Sequence, residues 1–236
     1  MNAVRDSIDR DMISDEKTKP LPRRRIPASA DDARPGKREE NKQRKLAKIA
    51  KAAKQVFSKK GFDAATMQEI AKLAGVATGT LFLYADNKRD IAYLATADDF
   101  AIAVRDAGQV TTEEPYVDQI VDCWRPYFAM HNANPEMAKI ILSEFLFFAG
   151  KQARRHGEGV VAMKTEAHRR AVICQQRGEL VGTVLPAEIA DLAYYLFQGV
   201  VRRWVQGGAI DVNEGLAMFH RALSLGLAGL MVQPAR

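Results

Sequence analysis

The chain has 236 residues, of which 47% are hydrophobic and 27% charged, with a net charge of +6 and two cysteines. That balance gives a globular protein with a sizeable core and room for one or two domains. It excludes a helical membrane span, since no apolar run approaches the roughly 20 residues a bilayer requires.

Cys123 and Cys174 are too few and too far apart for a disulfide scaffold or a zinc site, and buried thiols are expected. No apolar signal core heads the chain, so a cytoplasmic location is expected. The charge is unevenly spread. Residues 38–88 hold eleven Lys/Arg against five Asp/Glu, whereas residues 89–236 hold fifteen against seventeen. A basic surplus on one segment suits a nucleic-acid surface, although a solvated helix face carries the same signature.

Residues 1–37 mix both signs of charge, include Pro20, Pro22, Pro27 and Pro35, and show no apolar period. A disordered tail is expected there. Its Arg23-Arg24-Arg25 run suits either a flexible DNA-reaching arm or a solubilising tail.

The first helix is expected from about Arg38 to Lys60. Leu46, Ile49, Ala50, Ala53, Val56 and Phe57 form its apolar stripe, and lysines line another side. Gly61 ends it, with Phe62 tucked under the turn. Thr66 then stands at an N-cap position with Glu69 three residues on, the spacing of a capping box. A hydroxyl there can also face a phosphate beside the positive helix end. Ile70, Ala71 and Ala74 make one apolar face of a second helix. Gly75 follows, where a left-handed turn suits a residue without Cβ. A short third segment, Thr78 to Tyr84, turns Leu81 inward. Thr78, Gly79, Thr80, Phe82 and Tyr84 are small, hydroxylated or aromatic, a surface able to enter a narrow polar groove. Helix, glycine turn and second helix make a helix-turn-helix, whose second helix lies in the DNA major groove.

From Lys45 to Ile91 the sequence resembles the DNA-binding domain of the tetracycline-repressor (TetR-like) family of bacterial transcription regulators. The resemblance rests on Phe57, Gly61, Thr66, Ile70-Ala71, Ala74-Gly75-Val76, Gly79-Thr80-Leu81, Tyr84 and Asn87-Lys88 at fixed offsets. It implies an all-α homodimer in which a three-helix helix-turn-helix domain, residues 38–86, precedes a larger helical domain, residues 87–236, for ligand binding and dimerisation. Carried over by position, Thr66, Thr78, Gly79, Thr80, Phe82, Tyr84 and Lys88 would face DNA, with Lys88 on a phosphate. The pattern departs at three places. Ala77 stands where the family has a capping Ser, Phe82 replaces a Tyr, and Ala85 replaces a Phe.

Beyond Lys88 periodicity carries the reading. A fourth helix is expected from about Asn87 to Ala107. Thr111 and Glu114 have capping-box spacing before a fifth helix bearing Val117, Ile120, Val121, Trp124 and Phe128. Asn134-Pro135 starts a sixth, with Pro at the first helical position. Gly157 and Gly159 are expected to break the chain before a seventh helix that ends at Gly178. An eighth runs from about Pro186 to Val205 and a ninth from about Asp211 to Met231. No strand-like alternation appears, so no sheet is expected.

The last two helices are apolar on more than one side, which calls for a second partner. A symmetric pairing of two chains through Leu192, Tyr195, Leu196, Phe219, Leu223 and Leu227 is expected; a monomer with both faces covered is the alternative. Trp124, Tyr127, Phe128, His131, Phe145, Phe148, Met163 and His168 crowd the middle helices. The resemblance places a pocket for a small, mostly apolar effector among such helices, while periodicity alone fits plain core equally well.

The sequence therefore points to a ligand-responsive repressor binding near-palindromic operator DNA as a homodimer, with no cofactor, no metal and no membrane. A sequence-independent DNA-packaging protein is the alternative, although neutralising charge needs no large helical domain. A helical enzyme is a weaker one, since no phosphate loop, metal-ligand spacing or nucleophile elbow is present.

Overall fold

The computed structural model describes residues 36–111, 113–144, 150–208 and 211–232. The first 35 residues, with the Arg23–Arg25 run, lie outside the described residues. So do Phe145 and Phe148. Nine helices are found among the described residues: α1 (Lys37–Ala64), α2 (Met67–Ala74), α3 (Thr78–Leu81), α4 (Lys88–Ala107), α5 (Tyr116–Ala133), α6 (Pro135–Glu144), α7 (Lys151–Gln176), α8 (Pro186–Gln206) and α9 (Val212–Gly226).

In α1 the stripe Ile49, Ala52, Ala53, Val56 and Phe57 is buried, and nothing upstream of Ile49 is. Gly61, at φ 78°, breaks the helix where the sequence places its end. Phe62 then returns against Phe57, with ring centres 5.5 Å apart. These residues join Ile70, Ala71, Ala74 and Leu81 in a first core. A second, larger core is built on α5, α7, α8 and α9 around Trp124, Phe128, Phe197 and Phe219. Helix α4 belongs to both, giving Ile91 to Ala95 to the first core and Phe100, Ala103 and Ala107 to the second. Helix α6 is shared in the same way, through Met137, Ile140 and Ile141 on one side and Ala138 and Leu142 on the other.

Several boundaries differ from the sequence reading. Helix α3 stops at Leu81, and residues 82–84 continue as turns. Thr111 and Glu114 do not cap α5, which begins at Tyr116 after Pro115. A residue before proline is steered away from helical geometry, which disfavours starting the helix at Glu114. Arg170 and Arg177 also take the carbonyls of Val110, Thr111 and Glu113. Helix α7 runs straight through Gly157 and Gly159. At Gly159 the Phe100 ring occupies the place of a side chain, since a Cβ there would lie 2.3 Å from its Cε1. Helix α9 ends at Gly226, and Met231 makes one isolated antiparallel bridge with Leu180.

Candidate DNA-binding surface and the cleft behind it

The capping box forms as read. Glu69 N donates to the Thr66 hydroxyl at 3.2 Å, and Thr66 N donates to Glu69 Oε2 at 3.1 Å. The Lys60 ammonium and the Thr66 bonds hold the Glu69 carboxyl below the usual carboxylate range. Gly75 then takes the left-handed conformation, φ 68°, and α3 follows. Ala77 caps α3 with no side-chain bond, and Thr78 remains the first helical residue rather than becoming the cap.

Leu81 is fully buried and anchors the segment, and Ala85 is buried beneath it. Thr66, Gly79 and Phe82 are exposed, while Thr78, Thr80 and Tyr84 are half-buried on the same stretch. Leu73 and Leu83, unremarked in the sequence, are also exposed beside them. Lys88 begins α4, one residue after its cap Asn87. Its ammonium donates to the Asp63 carbonyl at 2.9 Å and lies 4.7 Å from the centre of the Phe62 ring. An ammonium has three donors, so this fold-back leaves it able to meet an anion as well.

Directly behind this surface lies a contact that the sequence did not signal. Asp90, in the first turn of α4, is fully buried. Its carboxylate accepts from the backbone N–H of Lys151 (3.0 Å), Gln152 (2.7 Å) and Ala153 (2.9 Å), the first turn of α7. It accepts also from Asp86 N at 2.9 Å. A carboxylate on the N–H groups of a helix start is favoured by both hydrogen bonding and the helix dipole. Gly150 makes room for it: a Cβ there would sit 2.6 Å from the Asp90 carboxyl carbon. From the same turn, Lys151 Nζ donates to Phe82 O at 3.0 Å and pairs with Asp86 at 2.9 Å, and Gln152 Nε2 donates to Tyr84 O at 2.9 Å.

The proposed pocket residues scatter. Trp124 and Phe128 are fully buried inside an aromatic cluster, Trp124 stacked on Phe219 and Phe128 edge-on to Phe197. Met163 is likewise core. His168 stands on the exposed side of α7 in a shallow surface depression with Lys164 and Asp191. These four do not meet in an interior pocket, because at each position the inward direction is filled by another helix or the side chain points outward. Tyr127 is buried against Phe100, and its hydroxyl finds no partner among the described residues. His131 does line a cavity, of about 20 Å³, with Phe100, Met130 and His156. That is room for about one water.

A wider cleft lies between α4 and α7 and holds about 280 Å³. Tyr93, Phe100 and Val104 form one wall; Gln152, Arg155 and His156 stand on the other. His156, which the sequence reading passed over, stacks on Phe100 at 4.1 Å and lines both spaces. Burial drives the pKa of His156 down to about 4, and burial with the nearby His156 does the same to His131. A lone histidine in a helix has no sequence signal that separates this role from an exposed one.

The expected dimer residues also divide. Phe219, Leu223 and Leu227 are fully buried in the chain's own core and cannot form an outer face. Gly226 receives the chain's own Leu196, whose Cδ1 lies 2.7 Å from the place of a Cβ. Leu192 and Leu196 are half-buried, and Tyr195 is 64% exposed. Leu225, 69% exposed, presents itself on the outward side of α9.

An all-α fold that carries a helix-turn-helix ahead of a larger helical domain defines the class of helix-turn-helix regulators. Residues 49–92 match the family described as bacterial regulatory proteins, tetR family. The match is confined to this N-terminal domain, and the fold of the whole is that of solved transcription regulators. The chain is similar to the transcriptional regulator FadR from Bacillus subtilis in complex with stearoyl-CoA, at 19% identity and a TM-score of 0.61, over 78% of this chain and 98% of that one. It is similar also to Thermus thermophilus FadR, a TetR-family repressor in complex with lauroyl-CoA, at 19% identity and a TM-score of 0.61, over 80% and 97%. SmeT, the repressor of the Stenotrophomonas maltophilia multidrug efflux pump SmeDEF, aligns at 16% identity and a TM-score of 0.57, over 80% and 91%. No curated protein matches the chain. No helix among the described residues is long and apolar enough to cross a membrane.

Proposed function

We propose that this protein is a homodimeric, sequence-specific transcriptional repressor that a small, mostly apolar ligand releases from a near-palindromic operator. Residues 38–86 read DNA, and residues 87–236 bind the effector and the second subunit. The observation that carries this reading is the capped α2, left-handed Gly75 and anchored α3, which hold Thr78, Gly79, Thr80, Phe82 and Tyr84 on one stretch. Thr66 and Lys88 flank that stretch at two helix starts, where backbone N–H groups favour a phosphate.

The α4–α7 cleft supports the effector half. Its apolar wall suits a hydrocarbon chain, and Arg155 on the opposite wall suits an anionic head. We take an acyl-CoA thioester as the effector class, its acyl chain being the small apolar part that enters the cleft; it is the class held by the two FadR proteins of the same fold. A ligand releases DNA only if it binds the DNA-incompetent arrangement more tightly than the competent one.

The test selects duplexes from a random pool with the full chain, then measures affinity for selected and random duplex with and without lauroyl-CoA. Selection of a near-palindrome and its release by the thioester are expected. Equal affinity for random duplex would point to a packaging protein instead.

A further inference from the structure

The geometry points to Gln152 as a positioning residue for DNA recognition, supplied by the large domain and seated in the α4–α7 cleft. The inference rests on the DNA-binding reading of residues 66–88. It concerns a residue that touches no DNA and lies 68 positions from the carbonyl it holds.

The segment after α3 has little to hold it. Helix α3 has four residues and no side-chain cap, and the chain from Phe82 to Asn87 is turn and bend. A helix this short has almost no intrinsic stability, so its orientation must come from tertiary contacts. Leu81 supplies one such contact from below. Ala85 and the half-buried Tyr84 rest on the same core, and the side-chain hydrogen bonds come from one turn of α7. Gln152 Nε2 binds the Tyr84 carbonyl and Lys151 Nζ binds the Phe82 carbonyl, closing two acceptors that the truncated helix leaves open.

What fixes Gln152 is Asp90. Its carboxylate takes the Gln152 N–H at 2.7 Å and the N–H groups on either side. The same carboxylate takes Asp86 N, so one buried group joins the start of α7 to the link between α3 and α4. Gln152 therefore has its backbone clamped to α4 and its side chain spent on the recognition segment. It also lines the cleft beside Tyr93, Phe100 and His156. An occupant of the cleft meets, in this one residue, the group that sets the position of Tyr84.

Lys151 shares the task but is a poorer probe, because its charge can also meet phosphate. Gln152 is neutral, so its removal leaves the electrostatic attraction to DNA unchanged. The experiment uses the full chain with Gln152→Ala, Gln152→Glu and Gln152→Lys. It compares affinity for the selected duplex and a random duplex, together with thermal melting. Gln152→Ala removes the donor, and Gln152→Glu keeps the shape but cannot donate to a carbonyl. Both should lose about three- to tenfold in the ratio of selected to random affinity, the worth of one such hydrogen bond, a ratio in which the charge added by Gln152→Glu cancels because it acts on both duplexes alike. Gln152→Ala should bind random duplex as the wild type does. Gln152→Lys, which keeps a donor on a longer arm, should stay within about twofold of wild-type selectivity, a rescue that lost packing alone does not give.

A folded Gln152→Ala chain with wild-type selectivity overturns the inference. So does a variant whose melting temperature falls while the ratio of selected to random affinity stays constant, since that is the mark of a purely structural contact. A wild-type chain that selects no sequence is a different result: it removes the DNA reading, and this inference with it.

Discussion

His131 and His156 are residues whose ionisation the fold opposes within the ordinary range of pH. Both are buried, with a pKa of about 4 against an ordinary value near 6.5. The folded chain thus keeps them neutral where the unfolded chain would bind protons. Their contribution to stability is whole above about pH 6.5 and is lost as pH falls towards 4, by an amount of order 3 kcal/mol per histidine at the limit. Denaturant melts between pH 8 and 4.5 should show that slope, and His131→Asn should flatten it. An equally steep profile in the variant would assign the acid sensitivity elsewhere.

Lys88 poses a second question at this scale. Its ammonium is folded onto Asp63 O and the Phe62 ring. If it also meets a phosphate, Lys88→Ala should weaken binding to all duplexes alike and reduce the magnitude of the salt slope by about one. A slope left unchanged would confine Lys88 to joining α4 to the end of α1.

At the scale of elements, α4 and α7 decide how the two domains meet. Helix α4 runs through both cores, and α7 is clamped to it at one end by Asp90 and pressed against it further along by Phe100. The second contact depends on Gly159. Gly159→Ala forces the Phe100 ring aside, at a cost of about 1–3 kcal/mol for an overpacked core. It also gains about 1 kcal/mol of helix propensity, so the variant should be about 0–2 kcal/mol less stable in chemical denaturation. The aromatic stack with His156 would shift with it, so the α4–α7 cleft should change shape as well. A Gly159→Ala chain more stable than the wild type by about 1 kcal/mol, the full propensity gain, would mean that the ring moves freely and that the two helices are less tightly coupled than their packing indicates. The glycine was readable in the sequence only as a break, because helix propensity penalises it there. The close approach of Phe100, from 59 positions away, explains why it is kept inside a helix.

For the whole molecule the open face is formed by Leu192, Tyr195 and Leu196 of α8 with Leu225 of α9. Exposed apolar side chains on both of the last two helices suit a symmetric interface between two copies. Tyr195→Arg with Leu225→Arg should yield folded monomers by light scattering, and operator affinity should fall with dimerisation. The corresponding operator half-sites should lie about 34–36 Å apart, one helical turn, or a multiple of it. A folded monomer with full operator affinity would sink the dimeric reading. Leu223→Arg is no substitute, for it would bury a charge inside the subunit.

The helix-turn-helix was legible because everything that makes it is local. Thr66 finds Glu69 three residues on, Gly75 sits where only a residue without Cβ turns easily, and Leu81 falls on the inward side of a segment one turn long. Sequence alone determined these, along with the all-helical class and the order of the helices, since each follows from spacing within a few residues. Periodicity also gave α8 and α9 more than one apolar side, but it is blind to which neighbour covers each side. Only the tertiary structure assigned Phe219, Leu223 and Leu227 to the subunit's own core and Tyr195 and Leu225 to its surface. Only it brought Asp90 to the start of α7, and His156 to the cleft beside Phe100. Those contacts join residues 56 to 63 positions apart, and no local pattern encodes a partner at that distance.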